Sequence, residues 1–242
     1  MGEQADLFAP GVAEASARPT IGPATDPCGE LRDRLAASGP GALDEGDTLA
    51  LVLARCLRPG ANPVSAADAL MARFGGIGRV FGAPEPELAR VVGVAAAREL
   101  ALLHGLLVRV LEHPLRQRTA LGDYEAVKTY LRARLGALPR EVFHVLFLDR
   151  RNQLIADERL GVGTVDHAPV YPREVVRRAL ELSASGFLLV HNHPSADPTP
   201  SRADIDMTRQ VADAARALQI TVHDHFLVAG DQVVSFRVQG LL

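Results

Sequence analysis

Gly186-Phe187-Leu188-Leu189-Val190-His191-Asn192-His193-Pro194, followed by Ser201-Arg202-Ala203-Asp204, is the stretch that decides how this 242-residue chain is read. The apolar run 186–190 has the pattern of a fully buried strand. Residues i and i+2 of an extended chain share a face, so His191 and His193 present two imidazoles to one point at the strand's exit. Pro194, Pro198 and Pro200 then exclude regular pairing and stiffen the loop. A helical pattern opens at Ser201 and continues through Ile205, Val211, Ala215 and Leu218, with Asp204 in its first turn. Two imidazoles and one carboxylate form a donor set that suits Zn2+, which in catalytic sites keeps its fourth position for water. A plainer reading of the same residues exists. His-x-His arises often by chance, and Ser201-x-x-Asp204 is also an ordinary helix N-cap with an acidic third residue.

His-x-His, seven residues, then Ser-x-x-Asp resembles the JAMM motif of the MPN/JAB metallopeptidase domain. The longer run HNHPSADPTPSRADI resembles the bacterial RadC family more closely still, from about Ala120 to Leu242, with a weaker match before it. The resemblance implies an α/β fold: a mixed-sheet MPN/JAB domain, related to cytidine deaminase, preceded by a small all-α domain. It implies a zinc-dependent hydrolase, a metalloprotease-like enzyme acting on a protein or peptide. His191, His193 and Asp204 would hold the metal. Glu141, at the start of the first strand, would be the general base, and Ser201 would steady the oxyanion. Glu158 and Glu174 compete with Glu141, since the sequence does not place these side chains relative to the metal. Ala196 departs from the family pattern, which has glycine there. A positive φ at that position would make alanine costly.

The rest of the catalytic half is legible as elements. Glu141–Leu148 and Gln153–Leu160 read as paired strands around a turn at 149–152, with Gly161-Val162-Gly163-Thr164 ending the pairing. Pro172 opens a helix to Ser183. Thr221–Val228 and Gln232–Val238 read as a hairpin about Gly230-Asp231. The order β-β-α-β-α-β-β predicts a mixed sheet flanked by helices. Asn192 should face away from the ligands. His223-Asp224-His225 copies the His-x-His spacing without a following Ser-x-x-Asp, so His225 is expected to be a buried structural residue, supporting the metal shell from behind. His144 and His167 stand alone.

Upstream, residues 1–26 are rich in Ala, Gly, Pro and Thr without periodicity and read as a disordered lead. Residues 27–114 read as an all-α domain, with helices expected at 48–57, 66–74, 85–91 and 95–110. A hinge is expected at 115–120, before a helix capped by Asp123 and a catalytic domain over 121–242. Val91-Val92-Gly93-Val94-Ala95 resembles the turn of a helix-hairpin-helix module, whose backbone amides meet phosphate. That would make DNA a partner of residues 27–114, and the RadC family's name reflects a proposed link to DNA repair. The same residues carry about as many acidic as basic side chains and no lysine, which fits a structural or protein-contact bundle instead.

Net charge is −3, from 26 basic and 29 acidic residues, so no global field attracts nucleic acid or an anionic membrane. Cys28 and Cys56 form no framework, and a reduced, cytoplasmic setting is expected. MGEQADLFAP lacks a secretion signal, and no apolar run reaches the ~20 residues of a membrane span. Three classes remain: a zinc peptidase or isopeptidase; a DNA-transaction protein whose metal site is structural or nucleolytic; and a zinc deaminase. The last wants His-x-Glu and Pro-Cys-x-x-Cys, and both cysteines lie outside the catalytic half. Substrate and oligomeric state are not written in the sequence.

Overall fold

The computed structural model describes residues 26–162 and 170–242. The expectations for residues 1–25 and for His167 lie outside this range. The first half holds helices α1 (Gly29–Ser38), α2 (Glu45–Leu53), α3 (Pro63–Phe74), α4 (Ile77–Gly82), α5 (Glu85–Val92) and α6 (Val94–Gln117). Their starts follow from local chemistry. Asp44 and Asp47 form a reciprocal capping box on α2. Asn62 accepts from the amides of Val64 and Ser65 at α3, where Pro63 supplies a preset φ. Gly75, at φ 83°, closes α3 in the left-handed conformation that only glycine adopts cheaply. Leu49, Leu53, Leu70, Leu88 and Leu100 are fully buried between these helices. Each such burial contributes about 1.5–3 kcal/mol relative to exposure.

Three expectations change here. α2 begins a turn earlier than Thr48 and ends at Leu53, because its capping acids lie upstream. α1 and α4 were not anticipated: α1 buries no side chain, and α4 follows directly on Gly75-Gly76. The hinge at 115–120 opens as helix. α6 passes through Pro114 to Gln117, forgoing one backbone bond at the proline. Leu100 of α6 is buried in the first core and Leu115 in the second, so one helix serves both. Ala120 donates to the Asn152 carbonyl, and Gln153 donates to that of Gln117, which fastens the connection.

The second half is a five-stranded sheet in the order β2-β1-β3-β4-β5: β1 (Val142–Leu148), β2 (Leu154–Val162), β3 (Gly186–Asn192), β4 (Thr221–Ala229) and β5 (Gln232–Ser235). β3 and β4 are parallel and the other pairs antiparallel. One face packs on α7 (Tyr124–Leu135) through Val142, Leu146, Leu188 and Phe226. The other packs on α8 (Pro172–Glu181) and α9 (Arg202–Arg216) through Phe143, Phe147, Phe187 and Leu189. The alternation of these residues is the period-2 pattern of a strand covered on both sides. Two strand ends differ from expectation. β2 stays paired through Gly161 to Val162, because a register shift at Leu160 absorbs the irregularity instead of ending the ladder. β5 stops at Ser235, whose hydroxyl is held by Asp224 at 2.5 Å.

Candidate metal centre

β3 ends where its two histidines emerge. His191 is 1% exposed, on the α9 face of the sheet, and the amide of His193 bonds to the Val228 carbonyl at 2.8 Å, so β4 fixes the strand's exit. Ser201 caps α9 through the amide of Asp204, and Asp204 returns the bond to the Ser201 amide at 2.8 Å. The capping box orients the carboxylate toward the strand. His191 Nε2 lies 3.5 Å from Asp204 Oδ1, His193 Nε2 lies 3.6 Å from Asp204 Oδ2, and the two Nε2 atoms are 3.2 Å apart. The cap at Ser201-x-x-Asp204 is therefore formed with the carboxylate facing both imidazoles. These three residues are the group among the described residues whose ligand atoms converge closely enough for a metal ion.

The hydrogen bonds behind the triangle decide which atoms face it. Thr208 Oγ1 lies 2.6 Å from the Asp204 carbonyl, which only accepts, so its single proton goes there. It must then accept from His225 Nδ1, at 2.6 Å. His225 is fully buried, and that burial holds its pKa well below the ordinary value, so the ring is neutral and its Nε2 bare. That atom accepts from His191 Nδ1 at 2.8 Å, which leaves Nε2 as the His191 nitrogen that faces the triangle. His193 likewise turns Nε2 to the triangle, since its Nδ1 donates to the Asp197 carbonyl at 2.9 Å. Two ring nitrogens and a carboxylate thus point at one another.

The spacing suits a divalent cation. Two ligand atoms each about 2.05 Å from a tetrahedral zinc stand roughly 3.3 Å apart, and the observed edges are close to this. The residues present fit zinc. Burial alone would raise the Asp204 pKa, but the facing imidazoles and Ser201 outweigh it and hold the carboxyl well below its usual range. Asp204 in turn raises the His193 pKa, so protons compete for this ligand as pH falls.

Glu141 directly precedes β1 and is 8% exposed. Its charge adds to the rise at His193, which puts the carboxylate within electrostatic reach of the triangle. Asn192 fixes the backbone on both sides of it: Oδ1 accepts from the Val142 amide at 2.9 Å, and Nδ2 donates to the Arg140 carbonyl at 3.1 Å. The two competitors are engaged elsewhere. Glu158 takes two hydrogen bonds from Arg178, at 2.7 and 2.6 Å, and Glu174 pairs with Arg177 at 3.0 Å on the surface. Ser201 Oγ donates to Asp204 Oδ2 at 2.6 Å. Ala196 has φ 62°, so the glycine-favouring conformation is present without a glycine.

Sequence reasoning set Asn192 aside because it faces the other side of the strand. The face was right, but the contribution to Glu141 was missed; an amide between two ligands, beside a polar strand start, was the available signal. Thr208 was also missed, although it lies one helical turn after Asp204. The 223–225 group splits. His225 backs His191, Asp224 binds Ser235 and the Arg237 amide on the opposite face, and the His223 carbonyl accepts from Arg237. His144 is buried against Asp157 at 2.6 Å.

A mixed sheet between helices, with His-x-His at a strand exit and a helix-cap carboxylate facing it, defines a JAB-type α/β domain. Residues 121–241 match the family model of the RadC-like JAB domain. The chain is 46% identical over 215 residues to a UPF0758 protein of Rhodobacter capsulatus, a match covering 88% of this chain and 100% of that protein. The chain belongs to the RadC family.

Proposed function

We propose that the protein is a zinc-dependent hydrolase of the JAMM type that cleaves a peptide or isopeptide bond. The supporting observation is the triangle of two Nε2 atoms and one carboxylate, 3.2 to 3.6 Å on its edges, with both Nδ1 hydrogens tied elsewhere. Membership of the JAB class is consistent with metal-dependent hydrolysis. Zinc held by His191, His193 and Asp204 would supply Lewis acidity, polarising a carbonyl and lowering the pKa of a water to roughly 7.

In this reading Glu141 carries the proton. Its carboxylate takes it from the attacking water and delivers it to the leaving amine. The Asn192 clamp keeps Glu141 in register with β1, and burial keeps bulk water from competing. The Ser201 hydroxyl would turn from Asp204 to the carbonyl oxygen as negative charge builds there. A preorganised donor of this kind contributes on the order of 3 kcal/mol, less here because the bond to Asp204 must first be given up. The test is Glu141→Gln against a quenched fluorescent peptide library. The variant is expected to bind zinc like the parent and to lose cleavage. Cleavage that survives this substitution, or survives chelation of the metal, removes the reading.

DNA docking through residues 27–114 receives less support. Gly93, at φ 83°, does make a tight turn between α5 and α6, and Gly93, Val94 and Ala95 are exposed at its tip. The neighbouring cations are already paired, Arg90 with Glu87 and Arg98 with Glu85. Phosphate affinity rests on cations free to displace counterions. Among the described residues no helix is long and apolar enough to cross a membrane.

A further inference from the structure

A groove of about 880 Å³ lies between the helical half and the sheet, and its lining includes chain neighbours of His193 and Glu141. Pro194 and Ala196 in its wall belong to the loop that follows His193, and Arg140 and Val142 flank Glu141. The opposite wall comes from α3, α4 and the α4–α5 turn, including Phe74 and Pro84. Four arginines line it, Arg73, Arg79, Arg140 and Arg159, against one acidic residue, Glu87. Glu87 is already shared between Arg73 and Arg90. Arg79, Arg140 and Arg159 enter no ion pair among the described residues. Among the described residues the groove therefore presents three arginines outside any ion pair, drawn from both halves of the chain, among apolar and proline surface.

We propose that this groove is a subsite for an extended acidic segment of the peptide substrate, with Arg79, Arg140 and Arg159 receiving its carboxylates. The proposal rests on the hydrolase reading above, because the groove's value lies in delivering a neighbouring bond to Glu141. Guanidinium and carboxylate match as planar, bidentate partners. An extended peptide advances about 3.3 Å per residue, so alternate side chains can meet arginines along one wall while the others lie on prolines. A nucleic-acid strand fits less well. Single strands need aromatic platforms for their bases, and the one aromatic ring in the lining, Phe74, already lies under Arg73.

The test uses the full chain carrying Glu141→Gln, so that bound peptide is not consumed. Fluorescence anisotropy compares a labelled decapeptide alternating glutamate and alanine, its glutamine counterpart, and labelled decathymidylate. The glutamate peptide is expected to bind about tenfold tighter than the glutamine one, as charge-assisted pairs in a confined groove imply. Replacing Arg79, Arg140 and Arg159 by glutamine should erase that preference. Arg109→Gln, exposed on α6 and outside the groove, should preserve it. If the triple variant does not fold, the three single variants are expected each to lose part of the preference. Equal binding of the two peptides, a preference that survives all arginine replacements, or tighter binding of decathymidylate through the same arginines would overturn the proposal. Zinc content is measured separately. A peptide preference without zinc would remove the hydrolase reading and leave the acidic-segment site standing.

Discussion

His225 Nε2 stands 2.8 Å behind His191 Nδ1, and Thr208 Oγ1 stands 2.6 Å behind His225. This line ends at the backbone carbonyl of Asp204, so one candidate ligand is tied to another through two fully buried side chains. Supporting partners of this kind set ligand tautomer and orientation, and their loss commonly costs 10–100-fold in metal affinity, as an order-of-magnitude guide. Thr208→Val keeps the shape and removes the acceptor. It is expected to weaken zinc binding about tenfold and to destabilise the protein by about 1–3 kcal/mol, because His225 Nδ1–H is left buried and unpaired. Nitrogen NMR of the imidazoles reads the tautomer directly. Unchanged zinc affinity with an unchanged His191 tautomer would show the relay to be inert.

Asn192 acts on the other side of the strand. Asn192→Ala releases the Val142 amide and the Arg140 carbonyl, and Glu141 lies between them. Zinc content should not change, since no ligand is touched. Turnover should fall on the order of 10²-fold, the usual scale for a catalytic group displaced by about 1 Å. Asn192→Asp should not rescue it, because a carboxylate accepts from Val142 but cannot donate to Arg140. A fall in zinc with turnover per bound zinc unchanged would place Asn192 in the metal shell instead.

At Ala196 the φ of 62° is a strain the sequence itself suggests how to remove. A Cβ in this region costs about 1–2 kcal/mol, partly offset by about 0.4–1 kcal/mol from the greater freedom of glycine in the unfolded chain. Ala196→Gly should raise stability by about 0.5–1 kcal/mol in denaturant melts. A loss of stability would mean that the alanine methyl packs usefully, and Gly230 is the neighbour to inspect.

Asp157 is buried beneath Tyr130, His144 and Arg134. Burial alone would raise its pKa, yet these partners hold it below the ordinary 3.8. A lowered folded-state pKa contributes stability that is fully present above the unfolded value and is lost as pH falls through the folded one. Wild type should therefore lose stability below pH 3.8 more steeply than Asp157→Asn. Parallel acid limbs in urea melts would contradict this.

The parts of the fold that read well from sequence are those where one local rule decides. The run 186–190 could only be a buried strand, and Ser201 and Asp204 form a cap whatever else they do. The missed parts depend on long-range geometry. Nothing near Pro114 reports that α6 continues to Gln117, because Leu115 is held by a core assembled from residues far along the chain. α1 offers only a thin apolar edge, Leu31 and Leu35, of which Leu31 is half-buried against the first core. The groove joins Arg79 to Arg159 across 80 positions, and no periodicity records such a neighbour. The site divides in the same way. The three candidate ligands show a recognisable spacing and His225 was expected behind them, whereas Asn192 and Thr208 gain their meaning only from what they face.

The most direct measurement is zinc per chain in purified protein, compared with His193→Ala prepared identically. The account predicts close to one zinc per chain in the parent and a large loss in the variant, with the fold intact by circular dichroism. Equal zinc in both, or none in a parent saturated with the metal, would contradict it.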